Sequence, residues 1–347
     1  MSKSVFINEN KNFSLIIEIQ SGIVRGAVSR IENNKISTIV QTLIVPIPRR
    51  AKTGSSQLIN SMLKSLAEVA FELTNKYHIS SSHIILSSPW VISFSKTIKV
   101  KYDKETKITK KIIEDIIENG SDKKDFDKDV IYIDKKIFEI KINGYSVTKY
   151  DDKSAKELDI SFATVMSSEN LLSKIRNTLR KGSGISKICF HSGLLLSYMS
   201  LRKKVIDMKN YAYIHVHSEL TDIIIVKNDL CSYISSFPIG LSNLIREIGH
   251  SVKQNEAVAN SNLTLFEEGK LYDTEKQKIQ LIVDKYMKEW SSHLDLESMP
   301  RVFSLVINSH STVFKNSLKS LIKDEIHFLD FDVDIMNMYN IALNDMI

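Results

Sequence analysis

The stretch that decides the fold is residues 211–237, with the sequence YAYIHVHSELTDIIIVKNDLCSYISSF. The tripeptide Lys227–Asp229 is a turn signal between two of its apolar, β-rich runs. From residue 241, apolar residues follow at three- and four-residue spacing, which is typical of a helix that faces a core. The stretch therefore predicts three strands and a helix in succession. The strands are predicted at Tyr211–His217, Leu220–Val226 and Leu230–Phe237.

The N-terminal part of the chain predicts the same succession about 200 residues earlier. Three apolar runs are separated by Ser21–Gly22 and by Asn33–Asn34, both of which favour turns. A helix follows, because apolar residues recur at helical spacing over Ile59–Tyr77. Each succession has a later apolar strand, at His83–Ser88 and at Val302–Ile307. The halves share this order of elements without detectable sequence identity, which predicts two lobes of one α/β topology. The first three strands are predicted at Phe13–Gln20, Ile23–Ile31 and Ile36–Val45.

Between the two lobes lies a segment with strands and a helix of its own. Four isoleucines recur on one face of the predicted helix Thr109–Asn119. Phe138–Ile142 alternates into Asn143–Gly144, and this dipeptide between alternating apolar residues is a strong β-hairpin signal. Ser168 is predicted to cap the helix that follows. We therefore predict a first lobe at residues 1–92 that resumes at about 182–207, an inserted α+β subdomain at 93–181, and a second lobe at 208–347.

Composition is that of an ordinary globular protein. Hydrophobic residues make up 43% and charged residues 25% of the 347 residues, which excludes a disordered or collagen-like chain. Two cysteines exclude a disulfide framework and a cysteine-based zinc site, and they fit a reducing compartment. No apolar run is long enough to span a bilayer, and no signal peptide is recognisable. We therefore expect a cytoplasmic protein without direct membrane insertion.

The net charge of +6 arises from 47 basic and 41 acidic residues that interrupt one another along the chain. A nucleic-acid-binding surface usually concentrates basic residues on one face or in one run. The mixed pattern is typical of a solvated surface, so no nucleic-acid partner is expected.

This organisation resembles the actin-like ATPase family, and the place of the insertion resembles its FtsA/PilM branch. Ile17–Arg25 is similar to the family's first phosphate motif, and His215–Ile223 aligns without gaps to the second. Val306–His310 stands where the adenosine motif belongs. The resemblance implies an α/β fold of duplicated actin-like (ribonuclease H-like) lobes with an inserted small α+β subdomain of the FtsA type. It also implies a nucleotide cleft, formed here by Glu18, Ser21, Gly22, Thr221, Asp222, Asn308 and Ser309.

All three motifs have lost glycine. The family needs glycine in these loops because backbone N–H groups must approach the phosphates closely. Here Gln20 stands at the glycine position of the first loop, and His217, Ser218 and Glu219 replace three glycines of the second. The carboxylate of Glu219 would also repel a phosphate. We therefore expect no cofactor and no ATPase activity. Weak binding of ATP and Mg²⁺, or a working ATPase with rearranged loops, stays open as the alternative.

A metal site is the other chemical hypothesis for the second loop. His215, His217 and Glu219 alternate along one predicted strand, so their side chains share a face. A His-x-His-x-Glu strand can supply three zinc ligands. No fourth ligand is evident from the sequence, so this site is the weaker hypothesis and we expect no metal.

The resemblance implies a scaffold that helps to assemble a membrane machine. The short span from Asp222 to Asn308 favours the type IV pilus branch. So does the acidic end of the chain, Phe331–Ile347, which lacks the basic amphipathic helix of FtsA-type proteins. The implied partner is a cytoplasmic peptide of a membrane protein, or another pilus or division protein, which would recruit the chain to the membrane through the inserted subdomain. An FtsA-like division adaptor that binds ATP and self-assembles is the alternative, and a homo-oligomer stays open.

Overall fold

The computed structural model describes residues 13–32, 35–48, 54–120, 128–151, 153–185, 187–204, 208–294, 303–321, 326–328 and 335–344. The chain divides into two compact units. The first unit comprises residues 1–206, 230–234 and 334–347, and the second comprises residues 207–229 and 235–333. Among the described residues, no helix is both long and apolar enough to cross a membrane.

The first unit is built on a five-stranded sheet with the order β3-β2-β1-β4-β9. The strands are β1 (Phe13–Ile19), β2 (Ile23–Glu32), β3 (Lys35–Pro46), β4 (Ile79–Leu86) and β9 (Ile188–Ser192). β1 runs antiparallel to β2 and parallel to β4. Every residue of β1 is buried, as expected for a central strand whose two faces are both covered.

Besides a helix of the insertion described below, the described part of the first unit has four helices: α1 (Ser55–Thr74), α3 (Glu169–Ser183), α4 (Gly193–Lys204) and α9 (Ile335–Leu343). α1 packs against α3, and α4 packs against α9. The sequence did not predict α4, because eight of its residues are buried and no polar stripe marks a helical period. α3 begins after Ser168, whose hydroxyl accepts a hydrogen bond from the N–H of Leu171, so the predicted cap is confirmed.

The end of the chain corrects the predicted second lobe at 208–347. Ile335, Tyr339 and Leu343 of α9 lie in one core cluster with Ile16 of β1 and Ile85 of β4. α9 therefore belongs to the first unit. Its buried apolar side chains are part of that core.

A second sheet of the first unit corresponds to the predicted insertion, and its order is β5-β8-β6-β7. The strands are β5 (Ile92–Lys107), β6 (Val130–Ile142), β7 (Tyr145–Val147) and β8 (Ser154–Ser168), and α2 (Lys110–Gly120) packs on them. Asn143 and Gly144 have φ values of 50° and 84°, so the predicted hairpin turn is confirmed. The predicted boundary at residue 181 assigned α3 to the insertion, whereas α3 packs against α1 of the first lobe.

The sheet of the second unit, which also includes residues 230–234 through β12, repeats the topology of the first sheet, with the strand order β12-β11-β10-β13-β14. β10 is antiparallel to β11 and parallel to β13, just as β1 is antiparallel to β2 and parallel to β4. The predicted duplication of α/β lobes is therefore confirmed. The strands are β10 (Tyr211–Val216), β11 (Thr221–Lys227), β12 (Leu230–Phe237), β13 (Phe303–Asn308) and β14 (Ile326–Phe328), and the helices are α5 (Leu241–Val252), α6 (Glu256–Glu267), α7 (Asp273–Ser292) and α8 (Thr312–Leu321).

Candidate functional site

Glu18, the predicted acidic residue of the first phosphate position, is fully buried near the end of β1. The hydroxyl of Tyr339 in α9 donates a hydrogen bond of 2.7 Å to its Oε1 atom. Arg25 on the paired strand β2 lies 3.4 Å from its Oε2 atom, and the arginine side chain is only 12% exposed. Both carboxylate oxygens of Glu18 therefore interact with side chains of the first unit, Tyr339 and Arg25.

Ser21 and Gly22 form the turn between β1 and β2, as predicted. The turn is closed by the N–H of Gln20, which donates to the carbonyl of Ile23. The indole N–H of Trp90 donates a 2.8 Å hydrogen bond to the carbonyl of Gln20. Ser21 is buried within this arrangement. The turn is thus held by the surrounding protein rather than left as an open, glycine-rich loop.

The second phosphate position, between β10 and β11, is filled by its own side chains. His217 is buried, and its Nε2 atom lies 2.9 Å from Oδ2 of Asp222. The hydroxyl of Ser236 donates to the other carboxylate oxygen of Asp222 at 2.5 Å. Thr221 donates to the carbonyl of Ile239 and accepts from the indole N–H of Trp290 at 2.9 Å. The polar side-chain atoms of Thr221 and Asp222 therefore bind other groups of the protein.

The N-terminus of helix α5 lies against the same turn, between β10 and β11. The N–H groups of Leu241 and Ser242 donate to the carbonyls of His217 and Ser218 at 2.9 and 2.7 Å. The first N–H groups of a helix are the donors that commonly bind phosphates. Here the turn itself uses two of them. This close contact depends on Gly240, because a Cβ atom there would lie 2.5 Å from the carbonyl oxygen of His217 and 2.6 Å from the nitrogen of Leu220.

Replacing Gly240 with alanine is therefore expected to lower the free energy of unfolding by about 1–3 kcal/mol, the usual range for overpacking. The obstructing atoms are backbone atoms of the turn, so no side-chain rotation relieves the clash. Gly182 offers a matched control, because a Cβ atom at that position meets nothing within 4 Å. Urea unfolding of both alanine variants checks the prediction. Equal stability of the two variants would contradict the close contact described above.

Glu219 is held by an arginine rather than directed at an open site. Nη1 and Nη2 of Arg246 on α5 lie 2.9 and 2.6 Å from its two carboxylate oxygens. These hydrogen bonds raise the pKa of Arg246 above its ordinary value. The paired geometry is the one that guanidinium groups adopt with carboxylates and phosphates alike. Arg246 is thus already paired with the carboxylate of Glu219, and its guanidinium group is not offered to another anion.

The third position follows β13. Asn308 pairs with His215 in the register of β10 and β13, and the hydroxyl of Ser309 accepts from the N–H of Ser311. Helix α8 begins immediately afterwards. Oε1 of Glu267 on α6 accepts from the hydroxyl of Ser311 at 2.5 Å and from the N–H of Val313 at 3.2 Å. A carboxylate of the protein therefore caps the start of α8, where the partial positive charge of a helix favours an anion.

The structure does not support the alternative of a metal site at His215, His217 and Glu219. The rings of His215 and His217 are close, with centroids 3.8 Å apart. However, His217 is bound to Asp222 and Glu219 is bound to Arg246. Within the described ranges, no group of three or more histidine, cysteine, aspartate or glutamate residues could hold a metal ion. The three residues therefore do not form a ligand set.

An apolar groove of about 500 Å³ lies in the first unit, between α1, α3 and the start of the inserted sheet. We call it the α1–α3 groove. Five polar residues also line it: Ser55, Ser167, Ser168, Asn170 and Lys174. Ile92, at the start of the edge strand β5, is 39% exposed. Its apolar walls are formed mainly by Leu58, Ile59, Trp90, Ile92, Met166 and Leu171.

No protein-family model matches this sequence, and no curated protein matches it significantly. Among solved structures, PilM of the PilM-PilN type IV pilus biogenesis complex is similar over 96% of this chain and 98% of its own, with a TM-score of 0.63 and 12% identity. The chain has the actin-like ATPase fold.

Two further solved structures are less similar to this chain. A protein with an actin-like ATPase fold from Bacteroides thetaiotaomicron has a TM-score of 0.46 at 10% identity, with 96% and 95% of the two chains covered. The ethanolamine utilization protein EutJ from Carboxydothermus hydrogenoformans has a TM-score of 0.49 at 9% identity, with 95% and 89% covered. Neither value adds to the argument for the fold.

Sequence reasoning missed four residues that fill the motif positions of this actin-like chain: Arg246, Glu267, Trp290 and Tyr339. None of them belongs to a motif, and each reaches its partner from a distant element. Gly240 is different, because Phe237–Gly240 before a helix is similar to the family's passage after its third strand.

Proposed function

We propose that this actin-like protein is a cytoplasmic scaffold without ATPase activity, which takes a peptide from a membrane protein of a type IV pilus-like machine. The observation that carries the proposal is the α1–α3 groove, an apolar site of peptide size beside the inserted sheet. The similarity to PilM, which was solved in a complex with PilN, supports a pilus protein as the partner. We take the inserted sheet and α2 to be the FtsA-type subdomain of the branch.

Contacts at three positions support the absence of ATPase activity. At each motif position, an internal partner binds the group that would face a nucleotide. Glu18 is bound by Arg25 and Tyr339, Glu219 by Arg246, and the start of α8 by Glu267. Binding a phosphate at these positions would require breaking charge-assisted hydrogen bonds, which are stronger than neutral ones. The division-adaptor alternative requires ATP binding, so a nucleotide measurement separates the two functions.

Millimolar ATP with Mg²⁺ is therefore expected to leave the melting temperature unchanged. A ligand present at a hundred times its dissociation constant would stabilise the folded protein by about 2.7 kcal/mol, which is readily measured by thermal unfolding. Inorganic tripolyphosphate with Mg²⁺ is the control, because the positive net charge of the protein attracts any polyanion. A rise in melting temperature with ATP but not with tripolyphosphate would contradict the proposed pseudo-ATPase.

The α1–α3 groove suits an extended peptide with apolar side chains. Trp90 and Leu171 offer buried apolar surface, and tightly packed aromatic and aliphatic pockets contribute most of the affinity at such sites. The groove also reaches Ile92 at the start of β5, whose outer edge has no neighbouring strand in the described part of the chain. A peptide lying there could add main-chain hydrogen bonds to that edge while its side chains enter the groove.

Ile92→Lys is expected to weaken peptide binding at least tenfold, because a lysine in an apolar groove must be desolvated. The probe is a labelled synthetic peptide with the sequence of the cytoplasmic segment of a PilN-type membrane protein from the same source. Binding is measured by fluorescence polarisation. Leu281→Lys is the matched control, since Leu281 is a 72% exposed leucine on α7 in the second unit. Wild-type protein that does not bind the peptide, or equal binding by both variants, would contradict the proposed groove.

A further inference from the structure

The charge in the lining of the α1–α3 groove is of one sign. Of the described residues that line the groove, only Lys174 is ionisable. Its side chain is exposed, and its ammonium group has no acidic partner within the described ranges. An unpaired cation beside apolar walls favours a ligand that brings a complementary negative charge.

Two acidic residues adjoin the start of α3, and both already have partners in the protein. Oε1 of Glu169 accepts a hydrogen bond of 2.7 Å from Nη1 of Arg176. One carboxylate oxygen of Asp129 accepts from the hydroxyl of Ser168, and the other accepts from the N–H of Asn170 at 3.3 Å. The protein therefore supplies no counterion for the lysine of the groove from these two carboxylates.

The start of α1 has the same sign of charge as this lysine. Ser55, which lines the groove, is the first residue of this helix of 20 residues. The preceding Gly54 offers no side-chain hydrogen bond, and the first turn contains no acidic residue. The start of α3, by contrast, is capped by Ser168 and Asp129. Because the N-terminus of a helix has a partial positive charge, α1 adds to the preference of the groove for an anionic group.

We propose that the peptide bound in the α1–α3 groove has an aspartate or glutamate beside its apolar side chains, and that this carboxylate pairs with Lys174. The inference rests on the proposed function, because it specifies the chemistry of the peptide bound there. The apolar walls provide most of the affinity, whereas the charge pair selects among apolar peptides, because exposed ion pairs are weak. A lysine or arginine at the same position of the peptide is disfavoured by like charge.

A selection from random peptides tests the preference without assuming a partner. A library of eight-residue peptides displayed on phage is selected on the full chain, and clones that also bind Ile92→Gln are discarded. This neutral variant removes apolar surface from the groove without adding charge. The remaining clones are expected to be enriched in aspartate or glutamate next to apolar residues, relative to the unselected library. Groove-dependent clones without this enrichment overturn the inference alone, whereas the absence of any groove-dependent clone contradicts the proposed function as well.

A selected peptide and its amide analogue then test the pairing with Lys174. Replacing the acidic residue of the peptide with the corresponding amide is expected to weaken binding to the wild type about threefold to tenfold, as measured by fluorescence polarisation. Lys174→Met should lose most of this preference, because methionine keeps an unbranched side chain without the charge. Lys181→Met is the matched control, since Lys181 lies in the last turn of α3 and does not line the groove. An equal preference in all three proteins would assign it to the net charge of the chain and overturn the proposed pair.

Discussion

Replacing Arg25 with methionine is expected to lower the free energy of unfolding by about 3–5 kcal/mol, the usual cost of removing one partner from a buried ion pair. Glu18 is fully buried and Arg25 is 12% exposed, so neither group exchanges its partner freely for water. Without Arg25, the carboxylate of Glu18 keeps only the hydroxyl of Tyr339 among these partners. The midpoint of urea unfolding measures the loss.

Arg30→Met is the matched control for this prediction. Arg30 lies on the same strand and pairs with Glu32, but these side chains are 35% and 52% exposed. Exposed ion pairs contribute about 0–1 kcal/mol, so the control should lose little stability. The double variant Glu18→Gln with Arg25→Met should recover much of the loss, because a neutral amide no longer needs a counterion. An equal loss in both arginine variants would contradict the structural role of Glu18.

Lowering the pH from about 6.5 to about 4 is expected to destabilise the protein through two buried histidines of the first unit. Nδ1 of His83 on β4 lies 3.0 Å from Nε2 of His191 on β9. Burial, and to a smaller extent Lys187, lowers the pKa of His83 to about 4. Burial, and then the neighbouring His83, lowers the pKa of His191 to about 4.

The sign follows from proton binding. Below the ordinary histidine pKa of 6.5 the unfolded chain binds protons that the folded chain does not, so stability falls with pH until the folded pKa of about 4 is reached. Each histidine can contribute up to about 1.4 kcal/mol per pH unit. Asp134 acts in the opposite direction: burial raises its pKa from 3.8 to about 6, so protons stabilise the folded state between these values. One aspartate offsets at most one of the two histidines, and the net effect remains a loss.

Urea unfolding at several pH values between about 7.5 and 4.5 measures this dependence. The double variant His83→Leu with His191→Leu should abolish the loss of stability at low pH, because no buried imidazole remains at the pair and Asp134 alone favours the folded state on acidification. His78→Leu with His250→Leu is the control, since both of these histidines are exposed. A loss of stability on acidification that survives in the first double variant would assign the effect to other groups.

The two observations most relevant to function are of different kinds. The internal contacts at the motif positions support the proposed absence of ATPase activity, and the α1–α3 groove supports the proposed binding partner. Trp90 links them, because it lines the groove and donates its indole N–H to the carbonyl of Gln20 at the first motif position, but binding of ATP and binding of the peptide are measured separately. A chain that binds both ATP and the peptide would thus refute the pseudo-ATPase and keep the scaffold.

The sequence by itself determined the local elements and their order. Apolar spacing predicted α1, the Asn143–Gly144 hairpin was recognisable from two residues, and the strands β1 and β10 recurred with the same neighbours. The loss of glycine from the phosphate motifs was also evident in the sequence. These features are readable because periodicity and turn chemistry depend on residues that are close in sequence.

Only the tertiary structure decided which protein groups bind the side chains at the motif positions. Tyr339 reaches Glu18 across 321 positions of the chain, and Arg246 reaches Glu219 across 27. From the sequence alone, Glu219 predicted repulsion of a phosphate; in the structure, Arg246 neutralises it and the pair occupies the position. The tertiary structure also decided where α9 packs, because its apolar residues could have packed on either lobe. Such partners depend on the path of the whole chain, and no local pattern encodes which distant charge will lie opposite a buried carboxylate.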